Sequence, residues 1–401
     1  MPGLETASLG VYVDAGARHE TPTQHGIAHL LEHMAFKGTA TRGARDIAET
    51  IEAVGGHLNA YTSRDQTAYL ARVLKADVPL AIELLADILQ HSTFDPAELD
   101  KERAVVIQEI GEAEDSPDDI VFDHLQEAAF PDQPLGRPIL GTRDTVAGFA
   151  ADDLRGFLGH HYRRRRLVLA GAGALEHERV VELASRAFDI LPRGDATRTE
   201  IARYAGGDRR QAKELEQVHL ALAFPGVPIG DADYDAVQLF SILLGGGMSS
   251  RLFQEVRENR GLCYSVYSFA QSYADCGLFG IGAGTGEGEV AELVAVAAEV
   301  SMAAAESATV EELARARAQL KAGMMMALES SSARCEQLGR HMLLYRRVLS
   351  KEEMLARVDA VDIFHVRRAA KRVLKGARLT LSALGPIGRL ETHDRVAARF
   401  G

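Results

Sequence analysis

The order of secondary-structure signals in this chain runs through once and then repeats. Ala7-Ser8-Leu9-Gly10-Val11-Tyr12-Val13 reads as a strand near the start, and Val218-His219-Leu220-Ala221-Leu222-Ala223-Phe224 as another past the middle. Asp95-Pro96-Ala97-Glu98 opens a helix, and Thr309-Val310-Glu311-Glu312-Leu313 opens one at the corresponding place in the second half. Registering Leu99 on Leu313 sets Ala316 against Glu102 and Gly323 against Glu109. A chain of 401 residues is too long for one ordinary core, so each copy is expected to bury its own. The expectation is an α+β protein of two homologous domains, each a mostly antiparallel sheet with helices on one face. The polar stretch 193–216, with Gly206-Gly207, reads as the linker between domains at residues 1–200 and 201–401.

Within the first half, residues 44–54 have the period of an amphipathic helix closed by Gly55-Gly56. Residues 57–61 and 67–73 read as a strand pair, and 77–91 as another helix. No apolar run approaches the roughly 20 residues of a membrane span. The net charge of −12 argues against a nucleic-acid partner. The start lacks the basic and apolar segments of a secretory signal. Cys263, Cys276 and Cys335 have no metal-like spacing and read as free thiols of a reducing compartment. A bacterial cytoplasm is the expected location, with the mitochondrial matrix as the alternative. The strand at 7–13 begins almost at Met1, so an edge strand ahead of it is expected to be missing from this sequence. Arg163-Arg164-Arg165-Arg166, in an acidic chain and before Leu167-Val168-Leu169-Ala170, is expected to be an exposed lead-in to a strand.

The chemistry is concentrated in His29-Leu30-Leu31-Glu32-His33. Helical positions four apart lie on one face, so His29 and His33 can grip one cation together. Glu32 borders that face. Two imidazoles suit zinc, and a neighbouring carboxylate suits the proton transfer that hydrolysis by a zinc-activated water requires. The order His-x-x-Glu-His is the inverzincin pattern. A third ligand has to come from elsewhere. In the helix opened by Asp95, Glu102 and Glu109 are seven residues apart and share a face. That spacing suits a metal ligand and its support, and equally a solvated polar stripe.

On these residues the chain resembles the pitrilysin/insulinase family of zinc peptidases, in its mitochondrial processing peptidase-like branch. The matching stretches are His29 to His33, Glu102-Arg103-Ala104-Val105-Val106-Ile107-Gln108-Glu109-Ile110, Gly55-Gly56-His57-Leu58-Asn59-Ala60-Tyr61, 118–125 and 135–141. The resemblance implies His29, His33 and Glu109 as ligands of one Zn2+ per chain and Glu32 as general base. It makes Glu102 the carboxylate that orients a ligand. It implies that Asn59 and the Ala60 backbone receive substrate by strand addition. Asp119 and Asp123 fall where processing peptidases receive a substrate arginine, although a solvated acidic segment has the same composition. Arg257 and Tyr264 stand at the spacing of an Arg and a Tyr that reach the substrate and the oxyanion. The second copy has no histidine in its 236–244 helix, so it is expected to keep the fold and bind no metal.

In the family four such domains close like a clam shell, and this chain supplies half. A homodimer is therefore implied, or a heterodimer with a non-catalytic homologue, with Arg257 and Tyr264 serving the partner's centre. The implied function is a zinc-dependent endopeptidase cleaving unfolded or presequence-like peptides in a closed chamber, near basic residues. The alternative is a non-catalytic partner or scaffold subunit of a peptidase-like complex.

Overall fold

The computed structural model describes residues 1, 3–194 and 199–401, so part of the expected linker lies outside the described residues. Two compact units emerge, neither contiguous in sequence. The first comprises Met1–Glu112, Arg137–Glu200 and Met325–Leu349; the second comprises Ala113–Gly136, Ile201–Met324 and Ser350–Gly401. A simple division near residue 200 therefore misplaces two segments.

In the first unit, β1 (Thr6–Val13), β2 (His57–Thr62), β3 (Thr67–Leu74) and β4 (Leu167–Gly173) form an antiparallel sheet in the order β2-β3-β1-β4. Strand alternation sends Leu9, Val11 and Val13 to one face. There they share a core with Leu30 and Leu31 of α1 (Ile27–Ala35), with Ile47 and Ile51 of α2 (Ala44–Glu52), and with Ile82 and Leu85 of α3 (Val78–Gln90). The opposite face is not open to solvent, contrary to the expectation of helices on one side. Tyr12, Ala68, Ala170 and Ala172 pack there with Cys335 and Leu343 of the helix Ser331–Tyr345. Gly339 makes the close approach possible, since a Cβ there would lie 2.3 Å from the Tyr12 ring.

The second unit has the sheet β5-β9-β6-β8-β7, with β5 (Gly207–Ala212), β6 (Val218–Pro225), β7 (Cys263–Ser272), β8 (Gly277–Thr285) and β9 (Thr380–Gly385). Among the described residues of this sheet, the β5–β9 pairing alone is parallel. One face is covered by core helices, including Tyr234–Gly245 and Val290–Ser307. Ala221 and Ala223, on the other face, pack with Val121, Leu125 and Ala129 of α5 (Pro117–Ala129). α5 directly follows α4 (Pro96–Asp115), as Ser331–Tyr345 follows Val310–Glu329. The pairs Pro96/Val310, Asp115/Glu329 and Pro117/Ser331 are all 214 residues apart, so the repeat includes the displaced helices.

The repeat extends to backbone detail. β4 ends at Gly173 with φ +114°, and β9 at Gly385 with φ +122°. A Cβ at either would sit 2.3 Å from a carbonyl oxygen, that of Thr6 or of Gln217. β5 lies in the stretch expected to be a linker. Its residues Asp208, Arg209, Arg210 and Gln211 show no apolar alternation, because a polar edge strand needs none. The arginine run also differs from expectation: Arg166 is buried, with Nε 3.5 Å from Asp14. Arg163 and Arg164 bond the carbonyls of Arg193 and Asp189. Among the described residues no disulfide joins Cys263, Cys276 and Cys335. Among the described residues no single helix is long and apolar enough to cross a membrane.

Candidate metal centre

Helix α1 buries Ile27, Ala28, Leu30, Leu31, Met34 and Ala35, which leaves His29, Glu32 and His33 on its remaining stripe. Its first turn is closed by a residue that spacing did not single out. Glu20 accepts from the backbone N–H of Gly26 (2.9 Å) and of Ala28 (2.8 Å), meeting the buried first-turn donors at the positive end of the helix dipole. Burial pushes the Glu20 carboxyl up to about 8, against the pull of those two hydrogen bonds. The other wall is α4, started as expected by Asp95, whose Oδ1 accepts from Ala97 N and Glu98 N at 2.8 and 3.2 Å. Leu99, Glu102, Val106 and Ile110 form its buried stripe, and Glu109 is two turns beyond Glu102.

The two helices bring three donors together. Glu109 Oε2 lies 3.7 Å from His29 Nε2 and 3.6 Å from His33 Nε2. The rings of His29 and His33 are 4.6 Å apart. One donor atom from each residue fits within a mutual distance of 4.8 Å, the one such group of three among the described residues. Donors about 2.1 Å from a tetrahedral zinc lie about 3.4 Å from one another, so this set is spaced for one ion. Burial, helped by the neighbouring His33, holds the His29 imidazole down to about 4, so it is neutral at pH 7 with a lone pair to give. His29 Nδ1 is buried and finds no hydrogen-bond partner among the described residues.

Around these donors the supporting contacts are specific. Glu102 is buried; its Oε2 is 3.0 Å from His33 Nδ1, and its Oε1 is 2.7 Å from Lys37 Nζ. A carboxylate at Nδ1 fixes the ring so that Nε2 faces Glu109. Glu32 accepts from Thr62 Oγ1 at 2.6 Å, and burial raises its pKa above the usual carboxylate value. Glu20, Lys37 and Thr62 had no signal in the sequence, because each acts through a contact that no local spacing encodes.

The remaining candidates are placed as follows. β2 is the outer strand of its sheet, and Asn59 is exposed on it, with Oδ1 accepting from Ala60 N at 2.9 Å. Asp119 and Asp123 are one turn apart on α5, in the second unit, and Asp119 accepts from Ser116 Oγ at 2.7 Å. Arg257 and Tyr264 are also in the second unit. The Arg257 guanidinium sits 4.7 Å from the Phe253 ring centre and 5.0 Å from that of Tyr264, whose side chain is largely exposed.

Two imidazoles and a carboxylate aimed at one point, with a further carboxylate beside them, are the donor set of a hydrolytic metal centre with an open position. Set in a repeated α+β fold, they define the class as metallopeptidase-like. The comparisons name the family. Residues 2–143 match Insulinase (Peptidase family M16), and residues 148–320 match the Peptidase M16 inactive domain. An uncharacterized zinc protease of Streptomyces coelicolor is 39% identical, covering 99% of this chain and 89% of that protein. The Bacillus subtilis zinc protease YmxG is 38% identical over 97% of this chain and 95% of its own length. The beta subunit of the rat mitochondrial-processing peptidase is 37% identical over 99% and 84%. The chain belongs to peptidase family M16. Its fold is shared with a chain of complex III2 from Candida albicans, at TM-score 0.90 and 21% identity over 100% of this chain and 95% of that one. It is shared too with an M16 inactive domain from Pseudomonas fluorescens, at TM-score 0.88 and 23% identity over 96% and 94%.

Proposed function

We propose that this protein is a zinc-dependent endopeptidase that takes an extended peptide as an added strand on β2. The observation that carries the reading is the convergence of Glu109 on both imidazoles, with Glu32 beside them. His29, His33 and Glu109 would hold one zinc ion per chain. When bound there, zinc lowers the pKa of water and polarises a carbonyl oxygen. Glu32 takes the proton from the attacking water and passes it to the leaving amine. Burial favours this, since a raised carboxyl pKa brings the base closer to neutral pH. Glu102 keeps His33 in the tautomer that presents Nε2.

Substrate selection rests on less local features. The outer edge of β2 offers backbone groups to an extended peptide, with Asn59 and Ala60 at its centre. Asp119 and Asp123 would receive a basic side chain near the cleavage point. Arg257 and Tyr264 would act in trans, the tyrosine hydroxyl donating to the substrate carbonyl oxygen as it becomes negative. That role requires a second chain, either a copy of this one or a non-catalytic homologue. The name of the rat relative, subunit beta of a processing peptidase, supports an assembly of more than one chain and a processing activity. A purely structural subunit would have no use for the complete set of three donors and a base.

The test is Glu32→Gln with metal analysis and a quenched-peptide assay. The variant is expected to retain one zinc per chain and to cleave no peptide, and the wild type to lose cleavage with a chelator. Normal turnover by the variant would remove Glu32 from the mechanism.

A further inference from the structure

We propose that Thr62 is a positioning residue for the base, holding Glu32 through one carboxylate oxygen so that the other is presented to water. The proposal rests on the endopeptidase reading above. Thr62 is the last residue of β2, the strand that would receive the substrate. Residues 58, 60 and 62 alternate onto one face of the sheet. Leu58 and Ala60 pack there against the core that holds Ile27, Leu30 and Leu31 of α1. The same alternation directs Thr62 at α1. Its Oγ1 donates to Glu32 Oε2 at 2.6 Å, a short distance suited to a charge-assisted bond. Ala28 O, 3.5 Å from the same hydroxyl, is at the limit of hydrogen-bond reach, and a hydroxyl has one proton to give. The carboxylate therefore has the stronger claim to it.

This is the one hydrogen bond to the Glu32 carboxylate among the described residues. The other functional side chains are braced differently: His33 by Glu102, and Glu102 by Lys37. A half-buried carboxylate with one side-chain donor is oriented chiefly by that donor. The residue type fits the task. Threonine is β-branched, so it is at home at the end of a strand and its hydroxyl direction is restricted at χ1. The placement also links two functions. A peptide added to the outer edge of β2 orders the strand whose last side chain aims the base, so substrate register and base position are set by one element.

Thr62→Val keeps the branched shape and removes the donor, and Thr62→Ser keeps the donor. Thr62→Val is expected to lower kcat tenfold or more, in line with about 100-fold for a misplacement near 1 Å. KM and zinc content should stay at wild-type values, and Thr62→Ser should stay within about threefold of wild-type kcat. Crystal structures of the zinc-loaded variants give an independent readout. Glu32 is expected in one conformer in the wild type and in Thr62→Ser, and displaced or in several conformers in Thr62→Val. An undisturbed Glu32 in Thr62→Val overturns the proposal, as does full kcat or a loss confined to KM or zinc content. If the wild type shows no chelator-sensitive cleavage, the peptidase reading fails. The Glu32 conformer in Thr62→Val still decides the role of Thr62.

Discussion

Helix α4 and the helix Val310–Glu329 are built to one plan and carry different chemistry. Each has 20 residues. Leu99 and Leu313 are both 3% exposed; Glu102 and Ala316 are equally hidden, at 5% and 2%. Two turns on, Glu109 faces two imidazoles, whereas Gly323 has nothing within 4 Å of where a Cβ would be. The helix Tyr234–Gly245 carries Ala236, Val237, Leu239 and Phe240 in the core and no histidine. The comparison teaches that fold and site are separable. Buried apolar positions carry the architecture in both copies, and a handful of polar side chains carry the chemistry in one.

Importing the second copy's residue into the first is the harshest test of that separation. Glu109→Gly is expected to abolish zinc binding and to lower peptide cleavage by about 10³-fold or more, a loss of about 4 kcal/mol of transition-state stabilisation. Circular dichroism should show the folded protein intact. A full equivalent of zinc in the variant by metal analysis would show that the two helices do not differ through Glu109.

Acid should separate the two units next. In the first unit, burial holds the His161 imidazole down to about 4, with His160 and the guanidinium of Arg166 adding to the effect. Above about pH 6.5 neither the folded nor the unfolded chain protonates it, and it costs nothing. Below that, the unfolded chain binds a proton that the fold refuses, so stability falls as pH drops towards 4. In the second unit, Asp231 is held below the usual carboxylate range by a hydrogen bond from Arg372, so its contribution is lost only at lower pH. His161→Phe should remove its share of the first-unit loss, on the order of 2–3 kcal/mol between pH 7 and 4.5. Urea midpoints of the two proteins across that range would show it. Parallel pH curves would mean that His161 is protonated in the fold.

The smallest effect runs the other way. Gly323→Glu places a glutamate in the second copy where the first has Glu109. With no histidines on the facing helix, zinc stoichiometry should remain one per chain. Replacing an exposed glycine inside a helix should raise stability by about 0.5–1 kcal/mol, measurable by denaturant titration. A second equivalent of zinc would show that the second copy holds donors of its own.

The parts of the site that could be read in advance are those written at helical spacing. His29, Glu32 and His33 lie within two turns of one helix, and Asp95 marks the start of α4 by bonding its first N–H groups. Where the displaced helices pack was not legible. The stripe Val121, Leu125 and Ala129 says that α5 buries a face, but not that the face lies on β6. β5 carries no sequence signal because a polar parallel edge strand has no apolar period. Thr62 and Glu20 were equally hidden, since each meets its partner through a chain reversal that local patterning does not specify.

The two-copy plan, the helices carrying His29, His33 and Glu109, and the copy in which they fall are all written in the linear pattern. These follow from side-chain periodicity and capping, which act between residues a turn or two apart. It took the packed fold to show that the carboxylate of Glu109 meets both imidazoles, that Thr62 bonds Glu32 and that each sheet is covered on both faces. Such contacts depend on how whole elements pack to bury their apolar faces, and packing joins residues whose separation along the chain carries no period.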